Sequence, residues 1–247
     1  MTVHGFSVIT LFPELIDEFA KIGMVRKACA AGLAAIAAIN PRDFADDARR
    51  TVDAAPYGGG PGMVMQVAPL RRAIAAARAA HPHSQVIYLS PQGRRLTQRD
   101  VRAFLTQPHL VLVAGRYEGV DERLLERDID AEWSIGDYVL SGGELPALVL
   151  IEAIVRLIPG VLGDAESALS DSFSTTLLDH PHYTRPECID DQAVPPVLMS
   201  GDHAAIAAWR QREAVRRTLQ RRPDLLADLK DDPALMALVR MIGRESA

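Results

Sequence analysis

The 247-residue sequence predicts an α/β domain with a parallel sheet, followed by a long connection and a small all-helical domain. In the first part of the chain, short apolar runs alternate with helical stretches, the pattern of strand–helix–strand units. Prolines then recur between Pro159 and Pro196 with few regular patterns, and the remainder of the chain has helical periodicity. We therefore divide the chain into residues 1–160, 161–196 and 197–247.

Each element follows from its local pattern. The predicted strands are Phe6–Phe12, Leu33–Ile39, Gln85–Leu89, Leu110–Ala114 and Trp133–Val139. The predicted helices between them are Pro13–Ala20, Val67–Ala80, Thr97–Gln107 and Glu144–Leu157. In the last domain, Asp202 is placed as an N-cap, and Pro223 and Asp232-Pro233 open two further helices.

Composition narrows the class of protein. Apolar residues make up 48% of the chain and charged residues 24%, values typical of a globular protein. No uncharged apolar run approaches the roughly 18 residues of a membrane span, so we expect no membrane partner. The short run before Pro13-Glu14 lacks the basic start of a signal peptide. Cys29 and Cys188 match no metal-ligand spacing, which indicates reduced thiols in a cytoplasmic protein and no metal site.

A basic stretch stands out in a chain whose net charge is −5. Between Asp202 and Arg222, two acidic residues are outnumbered by six arginines: Arg210, Arg212, Arg216, Arg217, Arg221 and Arg222. Local charge, more than net charge, determines whether a surface attracts nucleic acid. The stretch therefore suggests phosphate contacts, although a solvated helix face would have the same composition.

Polar, glycine-containing segments follow three of the predicted strands. These segments are Tyr88–Gly93, Ala114–Arg123 and Trp133–Glu144. Each alone is compatible with an ordinary turn, but ligands of parallel α/β sheets bind at the carboxyl ends of the strands. Another glycine-rich segment, Tyr57–Met63, lacks both the Walker lysine and the GxGxxG spacing, which removes the usual nucleotide-binding interpretations.

Eight strings of residues, in the same order along the chain, resemble those of the bacterial tRNA (guanine-N1) methyltransferases, the TrmD family of knotted SPOUT methyltransferases. They are YGGGPGM, YLSPQGR, GRYEGVDER, WSIGDYVLSGGELPA, IPGVLGDAES, DSF, LLDHPHYTRP and VPPVLMSGDH, and the amino-terminal SVITLFPE also fits. The resemblance covers almost the whole chain and weakens after about residue 225. Single motifs of this kind are weak, whereas eight in order are specific.

The resemblance implies a deep trefoil knot near residues 85–145, a feature that sequence physics would exclude by default. It also implies S-adenosylmethionine bound bent in the knot loops, with Glu118 near the sulfonium. The cofactor-binding residues implied are Tyr88, Leu89, Ser90, Pro91, Gly115, Tyr117, Glu118, Ile135, Gly136, Asp137, Tyr138, Val139, Leu140, Gly142, Gly143 and Pro146.

Methylation of guanine N1 requires removal of the N1 proton and stabilisation of the negative charge that moves onto O6. The resemblance assigns these tasks to Asp171 and Arg156. Each has an alternative role, because Arg156 lies four residues after Glu152 on a predicted helix and Asp171 could be an N-cap.

The resemblance further implies a homodimer with its active sites at the subunit interface. There Asp171 and residues 178–186 would meet the other subunit's cofactor. We interpret His180 and His182 as loop packing or RNA contacts. The family implies possible Mg²⁺, but no Mg²⁺ site is recognisable in the sequence.

The implied substrate is the anticodon stem-loop of tRNA, not DNA, and the implied target is the guanine at position 37, 3′ of the anticodon. Two alternatives remain at this point. One is a knotted methyltransferase acting on another base or on a ribose 2′-OH, and the other is a non-catalytic RNA-binding protein.

Overall fold

In the computed structural model, the described residues are 4–163, 168, 170–229 and 232–245. The chain divides into two compact units, Met1–Ala165 and Glu166–Ala247. Among the described residues, no helix has both the length and the apolar character needed to cross a membrane.

Strands and helices alternate through the first unit. The strands are β1 (His4–Ile9), β2 (Ala34–Ile39), β3 (Asp53–Ala54), β4 (Val64–Met65), β5 (Gln85–Arg95), β6 (His109–Ala114) and β7 (Ala131–Ser134), with β8 (Cys188–Ile189) and β9 (Gln192–Ala193) in the second unit. The helices are α1 (Pro13–Phe19), α2 (Gly23–Ala30), α3 (Val67–Ala80), α4 (Gln98–Phe104), α5 (Glu122–Asp128) and α6 (Glu144–Val155), then α7 (His203–Arg221) and α8 (Pro233–Glu245).

Five strands form one sheet in the order β2-β1-β6-β5-β7, and every neighbouring pair is parallel. The prediction of a parallel α/β sheet is therefore confirmed. All six residues of β6 are buried, as expected of a central strand covered on both faces.

Two apolar cores cover the faces of this sheet. On one face, Ile16, Val25 and Ile151 from α1, α2 and α6 pack against residues of the strands. On the other face, Leu70 of α3 and Leu124 of α5 pack in the same way. Each fully buried side chain of this size contributes about 1.5–3 kcal/mol relative to exposure, so the helices are held mainly by packing.

Two strands differ from the prediction. β5 continues past Leu89 to Arg95, because after a bulge Arg94 and Arg95 pair again with β7. β7 ends at Ser134, before the predicted end at Val139. The Ser134 hydroxyl accepts a hydrogen bond from Gly136 N and donates one to Gly136 O, which turns the chain out of the sheet.

The second unit has its own small core, formed by Leu177, Val215, Leu229, Leu235, Val239 and Ile242. Asp202 caps α7 as predicted, accepting hydrogen bonds from the backbone N–H groups of residues 204 and 205. Pro223–Leu229 is a 3₁₀ helix rather than the predicted α-helix. The predicted connection is anchored to α7 in this unit, because Leu178 N donates to the Thr218 hydroxyl at 2.9 Å.

Candidate active site

The bulged part of β5 and the loops that follow β6 and β7 line one cavity of about 320 Å³ in the first unit. These three strands are neighbours in the sheet, so their carboxyl ends bring the loops together. The structure thus places the three polar segments identified in the sequence around one cavity. Every residue expected to bind the cofactor lines it except Asp137, an exposed residue whose carboxylate lies 3.5 Å from the Arg95 guanidinium.

Tyr88 of β5 forms a wall of this cavity, just before the bulge in that strand. A Cβ added to Gly115 would lie 2.8 Å from the Tyr88 ring, so the loop after β6 can pass the ring only as glycine. Burial, together with the carboxylate of Glu132, raises the pKa of the Tyr88 phenol above its ordinary value. The phenol therefore remains a protonated hydrogen-bond donor at neutral pH.

The loop before α6 lies against the end of β6. A Cβ on Gly143 would come within 2.7 Å of Ala114 Cα, and Gly143 N donates to Gly115 O at 2.9 Å. These backbone contacts leave no room for a side chain. They fix the distance between two of the three loops that line the cavity.

A buried ion pair joins the same two loops. Arg116 Nε lies 2.9 Å from Glu144 Oε2, and the side chain of Glu144 is only 2% exposed. The Thr10 hydroxyl donates to Glu144 Oε1 at 2.9 Å, while the Arg116 guanidinium lies over the Phe12 ring and donates to Ser141 O at 3.2 Å. The pair thus ties both cavity loops to the end of β1.

Sequence reasoning missed this pair. Glu144 stands at the first position of α6, where an acidic residue ordinarily needs no explanation beyond the helix dipole. Its burial is the informative feature, because a carboxylate is rarely buried without a partner. The sequence that follows it, Leu145–Val155, is apolar except for Glu152, and this was the signal that could have indicated a buried helix start.

The glycine-rich segment Tyr57–Met63 lies along the loop after β6. Glu118 N donates to Met63 O at 2.9 Å, and a Cβ on Gly62 would lie 2.3 Å from Glu118 Oε1. Tyr57 is fully exposed. The segment therefore packs against a cavity loop at one end and presents an aromatic side chain to solvent at the other.

Arg156 and Asp171 belong to different units. Arg156 caps the carboxyl end of α6, with its backbone N–H donating to Glu152 O at 3.0 Å. Asp171 lies in a turn of the second unit, with its carbonyl accepting from Ser174 N at 3.0 Å, and no described helix begins there. The catalytic roles assigned to both residues remain predictions.

The arginines of α7 are not equivalent. Arg216 forms an ion pair with Glu213, and Arg222 one with Asp224. Arg217 donates to the carbonyl of Asp179 at 3.5 Å. Arg210 and Arg221 are exposed on the helix, which makes them the best placed of the six for contacts with a phosphate backbone.

Residues 4–228 match the model of the protein family described as tRNA (Guanine-1)-methyltransferase TrmD. The chain is 58% identical over 241 residues to a tRNA (guanine-N(1)-)-methyltransferase of Methylococcus capsulatus, covering 97% of this chain and 96% of the relative. An enzyme of the same name from Marinomonas sp. is 54% identical over 240 residues, with 97% and 96% coverage. One from Alcanivorax borkumensis is 59% identical over 223 residues, with 89% and 84% coverage.

Proposed function

The chain belongs to the tRNA (guanine-1)-methyltransferase family, whose members methylate N1 of guanine in tRNA, and we propose that its methyl donor is S-adenosylmethionine and its target the guanine at position 37. The cavity at the carboxyl ends of β5, β6 and β7 carries this proposal, because the family's sequence motifs line it. The conclusion drawn from the eight motifs, that the chain is a methyltransferase of this family, is confirmed.

The chemistry of the cavity supports S-adenosylmethionine as donor. Leu89, Ile135 and Leu140 supply apolar contacts for an adenine, and the backbone of the three loops supplies donors and acceptors. S-adenosylmethionine carries no phosphate group, so its site does not require the phosphate-binding lysine of a Walker motif, which the glycine-rich segment lacks. Glu118 lies on the cavity wall, where its carboxylate would favour a positive charge.

Two side chains would carry the chemistry of transfer. Asp171 would accept the proton from guanine N1 as the methyl group is transferred, and Arg156 would stabilise the charge that develops on O6. The sulfonium becomes a neutral thioether, so the reaction releases S-adenosylhomocysteine and one proton. In these roles both side chains would contact the guanine when tRNA is bound.

The anticodon stem would be held through its phosphates, with α7 as the basic surface. Phosphate contacts position a nucleic acid without specifying sequence. Guanine 37 must leave the stack to expose N1, and the cost of unstacking is a few kcal/mol. We place this reaction in the cytoplasm, which suits the free thiols of Cys29 and Cys188.

We further propose that the enzyme is a homodimer, with a trefoil knot formed near residues 85–145. Helix α6 supports the dimer, because all its residues other than Glu144 and Glu152 are apolar and yet Leu145 and Val149 are about half exposed. Val139 and Leu140 are exposed in the loop just before it. An apolar patch of this kind marks an interaction site.

A methyl-transfer assay tests the function. Purified protein, S-adenosylmethionine labelled in the methyl group and an unmodified tRNA with guanine at position 37 should yield 1-methylguanosine on nucleoside analysis. A tRNA with adenine at that position should accept no label. Label in another base or in a ribose would show that the site assignment is wrong. Repeating the assay with a chelator tests the possible Mg²⁺ requirement, for which the sequence assigns no site.

A further inference from the structure

We propose that Asp179, His180 and His182 form a binding site for one divalent transition-metal cation of the zinc class. One ligand atom of each side chain lies within 4.8 Å of the others. The three residues belong to the second unit, outside the cofactor cavity, and the site does not depend on the proposed methyl-transfer roles.

The carboxylate of Asp179 lies beside both imidazoles, whose ring centroids are 4.5 Å apart. His182 Nε2 lies 2.8 Å from Asp179 Oδ2, and a bound metal would displace the proton that these two atoms share; His180 Nε2 lies 3.8 Å from Asp179 Oδ1. The carboxylate oxygens of Asp179 are therefore placed to act as ligands together with the two imidazoles.

The orientation of His180 favours a cation. Its Nδ1 lies 3.1 Å from Pro181 O, and since a carbonyl only accepts hydrogen bonds, Nδ1 carries a proton. In the neutral imidazole, the Nε2 lone pair then faces a negatively charged carboxylate. A cation between these two groups removes that unfavourable contact. Metal-binding histidines almost always donate their second ring N–H in this way, often to a backbone carbonyl.

The ligand types select the metal. Two imidazole nitrogens and one carboxylate suit Zn²⁺, Co²⁺ or Ni²⁺, whereas Mg²⁺ takes oxygen ligands. Three protein ligands leave a tetrahedral ion with one open position for water. His182 is 70% exposed, while the side chains of Asp179 and His180 are 25% and 15% exposed, so the site opens to solvent on one side.

The surrounding contacts hold the site in place. Asp179 N donates to the Ser172 hydroxyl at 2.9 Å, and His180 N donates to Asp179 Oδ1 at 2.7 Å. Arg217 is the nearby cation, and it reaches the backbone carbonyl of Asp179 at 3.5 Å rather than the carboxylate. Because Ser172 adjoins Asp171, a bound metal would also stiffen the turn that carries the proposed base.

Co²⁺ titration of the untagged full-length protein tests the proposal. We expect one Co²⁺ per chain, with the visible absorption of a four-coordinate nitrogen and oxygen site, and displacement by Zn²⁺. The ring of Trp209 lies 6.3 Å from that of His180, so its fluorescence should be quenched as the site fills. A Trp133→Phe background leaves Trp209 as the sole tryptophan reporter.

The variants His182→Ala and Asp179→Asn should each weaken Co²⁺ binding by more than the roughly 10–100-fold typical of losing an outer-shell partner. Circular dichroism verifies that they fold, and exposed His182 is the safer substitution. His203→Ala and Cys188→Ser are the controls and should bind Co²⁺ like the parent protein. Undiminished binding in His182→Ala, thiolate absorption abolished by Cys188→Ser, or no binding at millimolar Co²⁺ would each overturn the proposal.

Discussion

At the scale of single residues, the most demanding task in the proposed mechanism falls to Asp171, because guanine N1 has no free lone pair until its proton leaves. We predict that Asp171→Ala reduces methyl transfer at least about a hundredfold, the lower range of general-base effects. S-adenosylmethionine binding should be retained, since the cofactor cavity lies in the other unit. Single-turnover methylation and calorimetric titration with the cofactor measure the two effects separately.

Asp171→Asn is the matched comparison, because it keeps the shape of the side chain and removes only the basic carboxylate. It should be as impaired as the alanine variant. Near wild-type methylation in both variants would remove Asp171 from the proposed mechanism and leave the family membership unaffected.

His109 gives a second residue-scale prediction. Burial, with a smaller effect of neighbouring His81, lowers the pKa of His109 to about 4, and the ring nitrogen Nε2 lies 2.9 Å from the Ser7 hydroxyl. The unfolded chain binds a proton near pH 6.5, whereas the folded protein does so only near 4. Stability should therefore fall as pH decreases from about 6.5 to 4, by at most about 3 kcal/mol, and change little from this source above pH 7.

Urea unfolding across that pH range measures the effect. His109→Gln should flatten the dependence between pH 6.5 and 4, although it also lowers stability at pH 7 by disturbing the stacked His81 ring. His83→Gln, at an exposed position, is the control and should leave the slope unchanged. An unchanged slope in His109→Gln would show that other groups set the acid limit.

At the scale of elements, sequence patterns located every long strand of the sheet and α1, α3, α4 and α6. Helices α2 and α5 were not predicted. α2 begins at a glycine and has no side-chain cap, and α5 begins at Glu122, within the segment Ala114–Arg123 that was interpreted as a ligand loop. Both are held by packing: Val25 and Leu124 are fully buried, and such tertiary contacts are not visible in local propensity.

In the candidate site, too, local patterns predicted some features and tertiary contacts determined the others. Periodicity placed the three loops at strand ends, but the pairing of β5 with β7 beyond Leu89 was hidden by Pro91 and Gly93, which normally end strands. A Cβ on Gly93 would lie 2.4 Å from Trp133 N, so this glycine permits a close strand contact. Trp133 lies forty residues away from Gly93 in the sequence, so no local pattern predicts this contact.

The junction between the loop after β6 and the start of α6 gives the first element-scale prediction. Glu144→Gln removes the buried charge that faces Arg116 and Thr10. Breaking a buried pair typically costs about 3–5 kcal/mol, and the partial exposure of Arg116 should reduce that cost. We expect lower stability and weaker S-adenosylmethionine binding, measured by chemical unfolding and calorimetry.

A double-mutant cycle with Arg116→Gln separates the pair from its surroundings. Each single variant leaves one charge of the pair without its partner, whereas the double variant leaves none. The double variant should therefore be less destabilised than the sum of the single variants. Glu18→Gln, which removes an exposed pair with Lys21, is the control and should change stability by less than about 1 kcal/mol. Strict additivity would mean that the two charges do not interact.

Helix α7 gives the second element-scale prediction. Among the arginines of this helix, Arg216 and Arg217 already make contacts within the unit. Arg210→Glu with Arg221→Glu therefore isolates phosphate binding better. This variant should weaken tRNA binding and reduce its salt dependence, since each lost phosphate contact removes about 0.7–0.9 from the salt slope. Cofactor affinity should not change.

A variant with the same change in net charge, Arg26→Glu with Arg99→Glu, is the control for general electrostatics, since both residues are exposed in the first unit. Filter binding at several salt concentrations compares the two. Equal losses would attribute tRNA affinity to overall charge and remove α7 from the interface.

At the scale of the whole molecule, the two units divide the proposed work. The first unit holds the cavity proposed for the cofactor, and the second carries Asp171 and the exposed arginines. The exposed apolar residues of α6 adjoin the cavity loop 135–143. A partner packed there would stand next to the cofactor, which is why a dimer and a shared active site belong to one proposal.

Subunit mixing tests that shared site. Asp171→Ala lacks the proposed base, and Ile135→Arg places a long charged side chain in the cavity and, once calorimetry verifies it, binds no cofactor. Each homodimer should be inactive. Suppose that Asp171 of one subunit acts at the cofactor cavity of the other. A heterodimer of the two variants then has one active site with both defects and one intact active site. Equal amounts unfolded and refolded together should then recover about a quarter of wild-type activity, because half of the dimers are heterodimers. If the refolded mixture is no more active than the two homodimeric variants measured separately, the base and the cofactor belong to the same subunit.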